Sequence, residues 1–259
     1  MKRFQTSLGA LTAAVLLAAC GGGGGGDSGP VIDPVPGAFA DPVSYSGAAT
    51  AGLTAPQEGA AIVNTRMTLA GKNLDYKATT GHLTATDPVT GKPTVSFFYV
   101  AYTAGTLDPS KRPVTFFYNG GPGSSSLWLH MGSFGPKRIV TAIPSNVVAP
   151  LQLVDNQETL LDHSDLVFID AVGTGFTQAV APGSNDDFWG VDSDAAAFRD
   201  FVRRYVTVNG RQTSPKYLYG ESYGSPRTGV LSNLLEVAGV KLSGIVLQSA
   251  VMNYNSNCG

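Results

Sequence analysis

The sequence predicts an α/β domain with a mostly parallel sheet, entered through an antiparallel hairpin. Short continuous apolar runs at 114–118, 166–169, 217–219 and 245–247 have the form of strands buried on both faces. Segments of helical periodicity lie between and after them. Ahead of them, residues 82–86 and 95–102 alternate in a strand-like way around Asp87-Pro-Val-Thr-Gly-Lys-Pro93, which reads as a hairpin. A hairpin followed by β/α alternation defines this class.

In chain order, the first twenty residues read as a leader rather than as part of the fold. Lys2 and Arg3 precede an apolar stretch over 8–17, too short to span a bilayer, and Leu17-Ala-Ala-Cys20 follows as a cleavage site. The run resembles a bacterial lipobox, in which Cys20 is lipidated and becomes the mature N-terminus. An ordinary signal peptide with an incidental cysteine is the alternative. Gly21, in place of an aspartate, looks like outer-membrane sorting in Gram-negative bacteria. The expected location is therefore the cell envelope, lipid-anchored at the outer membrane and facing the periplasm. Residues 21–55, rich in glycine, proline and alanine, lack the apolar surface to order themselves and read as a flexible tether with a reach of roughly 30 Å. The folded domain is expected over 56–259. The other cysteine, Cys258, is either a free thiol or half of a bridge to further chain.

Within the domain, Ala195, Phe198, Val202, Tyr205 and Val206 share one face of a helix, with Asp192 or Ser193 as its expected N-cap. A second helix is expected over 226–238, with Pro226 in its first turn and Gly239 just past its end. The formal net charge of −2 and the lack of basic clusters give no electrostatic footprint for nucleic acid.

Ser222 stands in Gly220-Glu-Ser-Tyr-Gly224, between a short apolar run and a helical pattern. This is the sequence form of a nucleophile elbow, a tight strand-to-helix turn that exposes a serine hydroxyl above the sheet. Upstream, a strand runs into Asn119-Gly-Gly-Pro-Gly-Ser-Ser-Ser126. That loop lacks the Gly-Lys-Ser/Thr of a phosphate-binding loop. It reads either as a plain tight turn or as the source of an oxyanion-hole N–H. The pair Gly173-Thr-Gly175 would need a glycine at 178 to complete a dinucleotide fingerprint, and Gln178 stands there. No cofactor or metal is implied.

Taken in order, the 119–126 loop, Gly135-Pro136, Asp170-Ala-Val-Gly-Thr-Gly-Phe176 and Gly220-Glu-Ser-Tyr-Gly224 resemble the serine carboxypeptidase family of α/β-hydrolases, in a bacterial branch. The resemblance implies that Ser222 is the nucleophile and that the N–H groups of Gly121 and Tyr223 form the oxyanion hole. It also implies that Asn119, Gly120 and Glu221 bind the carboxylate of a peptide's C-terminus. Two facing carboxylates repel, so one must carry a proton. Three positions depart from the family pattern. Ser133 stands where a second carboxylate-binding glutamate is expected, Phe117 where a tryptophan is, and Ser124 where a cysteine is.

A serine nucleophile needs a general base, and in this fold the order along the chain is Ser, then Asp, then His. The three histidines, His82, His130 and His163, all precede Ser222. The catalytic Asp and His, with the last strands and the cap, are therefore expected beyond Gly259. The chain reads as the N-terminal half of a longer serine-type carboxypeptidase, inactive by itself. Two other functions stay open: an esterase or acyltransferase on the same scaffold, kept open by Ser133, and a non-catalytic lipoprotein that binds peptides.

Overall fold

The structure is a computed structural model and describes residues 35–105, 108–141 and 151–253. The leader with Cys20, the glycine run over 21–26 and Cys258 lie outside the described residues. The strands are β1 (Val35–Pro36), β2 (Gly59–Leu69), β3 (Lys72–Thr86), β4 (Pro93–Ala104), β5 (Val114–Tyr118), β6 (Lys137–Ile139), β7 (Leu153–Asp155), β8 (Asp165–Ile169), β9 (Gln178–Ala179), β10 (Lys216–Glu221) and β11 (Gly244–Gln248). A short helix α1 (Leu127–Leu129) continues as a π turn over His130–Phe134. Two longer helices follow, α2 (Val191–Val208) and α3 (Gly224–Val237).

The main sheet runs in the order β1-β2-β3-β4-β8-β5-β10-β11, with β9 on β4. Strands β2, β3 and β4 pair antiparallel, whereas β8, β5, β10 and β11 are parallel to one another. The hairpin turns at Asp87, whose carboxylate accepts the N–H groups of Val89 and Thr90 at 3.0 and 2.7 Å. Sequential parallel strands with crossover helices leave the 119–126 loop, the 170–177 segment and Ser222 all at the C-terminal edge of the sheet, where ligands bind in open α/β sheets.

The continuous apolar runs have their cause in two cores. Phe116 and Tyr118 face one side, packed with Phe97 and Val167 against Phe198, Phe201 and Tyr205 of α2 and Leu231 of α3. Phe117 faces the other side, with Phe168, Leu129 and Leu161. Alternate residues thus point in opposite directions, and both directions are dry. Strand β11 differs: Ile245, Val246 and Leu247 are 46, 41 and 40 % exposed. It stands at the sheet edge, and among the described residues β10 alone pairs with it.

Three sequence expectations need correction. Helix α2 starts earlier than Asp192 or Ser193: Gly190 is its extended N-cap residue, and the Asp194 N–H donates to the Gly190 carbonyl at 2.8 Å. Asp192 and Asp194 consequently fall in the first turn, where negative charge favours the helix dipole. Strand β2 was not anticipated, because as an outer strand its burial follows no simple alternation.

The third correction concerns the tether. From Val35, which pairs with Ala61 of β2, the described chain is bonded into the domain rather than free. The buried amides of Gln178 and Asn185 hold it: Gln178 Oε1 accepts the Ser46 N–H at 2.8 Å, and Asn185 Nδ2 donates to the Ser46 and Ala48 carbonyls at 2.9 Å. Leu53 then bridges β9, donating to Ala179 at 2.8 Å and accepting from Ala181 at 2.8 Å. Composition misjudged this strap because a few specific anchors order it: backbone hydrogen bonds to buried amides, the buried Leu53, and the Tyr45 ring stacked on His82.

Candidate active site

Strand β10 ends at Glu221, and the chain turns into α3 through a single strained residue. Ser222 has φ +57°, a left-handed conformation that costs a non-glycine residue roughly 1–2 kcal/mol. Two backbone bonds hold it there: its N–H donates to Gln248 at 2.9 Å, and its carbonyl accepts from Ser225 at 2.9 Å. The flanking glycines are needed for close approach. A Cβ on Gly220 would overlap the Gly224 carbonyl, and one on Gly224 would lie 3.1 Å from the Tyr118 carbonyl.

The 119–126 loop sits directly on this turn. A Cβ on Gly120 would overlap the backbone nitrogen of Tyr223 and lie 2.6 Å from the Glu221 carbonyl. Asn119, Gly120 and Gly121 are thereby brought beside Glu221 and Tyr223. Asn119 is buried; its Nδ2 donates to Glu221 at 3.1 Å, while its Oδ1 accepts the Leu129 N–H at 3.0 Å. Gly121 has φ +108°, and a Cβ there would lie 2.8 Å from the Gly123 nitrogen. Valine in its place must distort the loop. If Gly121 supplies an oxyanion N–H, Gly121→Val is expected to lower the rate by about 10²–10³ in a protein that stays folded. Steady-state kinetics with circular dichroism checks this, and a wild-type rate would remove the loop from the oxyanion hole.

Behind the turn lies an ion pair that sequence reasoning missed. Arg227 of α3 and Asp194 of α2 are both buried, with Nε to Oδ2 at 2.7 Å. The same guanidinium donates to the Asn119 carbonyl at 2.8 Å and lies 5.2 Å from the centre of the Tyr223 ring. Burial, the largest influence, pushes the Asp194 carboxyl above its ordinary range, opposed by Arg227 and by the Tyr223 hydroxyl. The pair thus braces both the loop and the residue after Ser222. A cavity of about 350 Å³ opens beside it, lined by Pro122, Gly123, Val172, Trp189 and Tyr223 among others. The missed signal was a lone arginine just inside the second helix.

The three histidines are engaged elsewhere. His82, buried in β3, bonds through Nε2 to the Phe176 carbonyl at 2.9 Å. His130 bonds through Nε2 to the Tyr102 hydroxyl at 2.6 Å and stacks on Phe168; burial pulls it down to about 4. The largely exposed His163 lies 3.3 Å from Asp162, at the N-terminal edge of β8. Ser133 falls in the π turn, where its carbonyl accepts from Asn156 Nδ2 at 2.5 Å.

A family model described as serine carboxypeptidase matches residues 69–249. The chain belongs to the serine carboxypeptidase family. It is 30% identical over 168 residues to the pheromone-processing carboxypeptidase KEX1 of Cryptococcus gattii serotype B, covering 61% of this chain and 23% of that protein. Against serine carboxypeptidase-like 33 of Arabidopsis thaliana it is 30% identical over 149 residues, covering 55% of this chain and 29% of that one. The chain thus spans about a quarter of the length of these two curated relatives. Among solved structures, the prohormone-processing carboxypeptidase KEX1(delta)p from Saccharomyces cerevisiae superposes with a TM-score of 0.53 at 21% identity, covering 71% of this chain and 40% of that one. The fold of this serine carboxypeptidase family member is the α/β-hydrolase fold.

Proposed function

We propose that this chain supplies the nucleophile, the oxyanion hole and the carboxylate grip of a serine-type carboxypeptidase. The strained turn at Ser222, with Gly120 packed onto it, carries the reading. Ser222 Oγ attacks the last peptide carbonyl. Its proton passes to a general base, and the carbonyl oxygen becomes an oxyanion held by the N–H groups of Gly121 and Tyr223. Collapse of this intermediate breaks the C–N bond, releases the C-terminal amino acid with the proton from the base, and leaves an acyl-serine ester that water hydrolyses. The base in this reading is a histidine oriented by an aspartate.

Asn119 and Glu221, 3.1 Å apart, form with Gly120 the grip on the substrate's terminal carboxylate. A proton shared between Glu221 and that carboxylate is required, because two facing negative charges repel. Full-length protein is therefore expected to prefer free-acid peptides over their C-terminal amides at mildly acidic pH, with the margin narrowing towards neutrality. Ser133→Glu is expected to widen the margin at low pH. Paired acid and amide peptides assayed across pH test this. Equal cleavage of both throughout would end the exopeptidase reading in favour of the esterase or endopeptidase alternative, the first of which Ser133 keeps open.

The leader motif supports a lipid anchor at Cys20 in the bacterial envelope, outer membrane facing the periplasm, with peptides as the substrates met there. Cys20→Ser is expected to move the protein out of the detergent phase on partitioning. An unmodified mature N-terminus at another position, found by mass spectrometry, would count against the anchor.

A further inference from the structure

Asp170 is the first residue beyond β8 and has no part in the reaction outlined above. It is buried and lies between two loops. Its Oδ1 accepts the Ser126 N–H at 2.8 Å, and the Phe176 N–H also donates to the carboxylate. Ser126 closes the 119–126 loop on itself: its Oγ accepts the Asn119 N–H at 3.3 Å and donates to the Ile169 carbonyl. The second loop is pressed onto the same carboxylate, since a Cβ on Gly175 would overlap Asp170 Oδ2. That loop is fixed in turn from outside: the Phe176 carbonyl meets His82, whose ring stacks on Tyr45 at 5.0 Å.

An ionised carboxylate only accepts hydrogen bonds, and each oxygen can serve one N–H fully. Once protonated, one oxygen becomes a hydroxyl, and the two N–H groups are left with a weaker acceptor. We propose that Asp170 is a positioning residue whose carboxylate latches the loop carrying Gly121 to the 173–176 turn, so that its protonation loosens the oxyanion hole. The inference of an effect on rate rests on the carboxypeptidase reading; the latch itself does not.

Burial, the largest influence, raises the Asp170 carboxyl to about 6, opposed by the Ser126 and Phe176 amides. No charged side chain among the described residues contributes to this shift. The titratable groups of the surrounding network are His82, reached through the Phe176 carbonyl and 3.6 Å from Asp41, and Glu221, reached through Asn119. The latch is therefore half made near pH 6, strengthens as pH rises towards 7 and is released as pH falls towards 5.

Amide hydrogen exchange on full-length protein tests the latch without requiring a reactive serine. After correction for intrinsic exchange, protection of the Ser126 and Phe176 amides is expected to rise about tenfold from pH 5 to pH 7, following the ionised fraction of a group titrating near 6. Asp170→Asn should abolish that rise while the β5 and β8 amides stay protected. Fluorophosphonate labelling of Ser222 should slow about tenfold in this variant at pH 7 and little at pH 5. Equal protection of wild type at both pH values overturns the proposal, even if the variant fails to fold. An exchange step without serine labelling supports the latch and counts against the peptidase reading instead.

Discussion

Ser222→Ala is expected to abolish fluorophosphonate labelling of the full-length protein and to lower kcat by roughly 10⁶, the scale on which a serine protease loses activity with its nucleophile. The strand and helix on either side should fold as before, because Ser222 is held by its backbone bonds to Gln248 and Ser225. Ser222→Gly sharpens the prediction. Glycine adopts φ +57° without the strain of a side chain, so this variant should be inactive yet more stable by up to about 1 kcal/mol. Persistent labelling of either variant would move the nucleophile to another residue.

The second large effect is on stability. Arg227→Ala leaves the Asp194 carboxylate buried without its partner, a loss on the order of 3–5 kcal/mol. For a domain of this size that corresponds to a fall in Tm of roughly 6–20 °C. Replacing both partners together, as Arg227→Met with Asp194→Leu, should recover much of the loss, because no unpaired charge is then buried. The double variant should still react slowly with a serine probe, having lost the bond from Arg227 to the Asn119 carbonyl. Thermal unfolding of the three variants decides it. A loss below about 1 kcal/mol for Arg227→Ala would mean that water or another group takes over the carboxylate.

Much of this molecule was legible because burial on both faces writes itself into sequence. Val114 to Tyr118 must be apolar at every position when Phe116 and Phe117 point into different cores. The elbow was legible because close backbone approach requires glycine at 220 and leaves little room for a side chain at 224. Pairings between distant segments left no such trace. Asp194 and Arg227 lie on different helices, so nothing local marks either as the other's partner. Gln178, read only as the residue that spoils a dinucleotide fingerprint, turned out to hold the strap at Ser46. Asp170 appeared merely as the head of a motif, since what it joins, Ser126 and Phe176, becomes visible only when two loops fold over one strand end.

Strand β11 shows how this sheet can grow. Its inner edge is hydrogen-bonded to β10 over five residue pairs, so its backbone is already held extended and in register before anything approaches the other edge. A strand arriving at that edge would meet a finished template and need order only itself, which lowers the entropic cost of adding it. The same template accepts an unrelated strand as readily as the right one, because backbone N–H and C=O groups carry no address. The half-exposed Ile245, Val246 and Leu247 add attraction without adding selectivity. In a concentrated solution the strands most at hand belong to other copies, so self-association through this edge is the expected hazard.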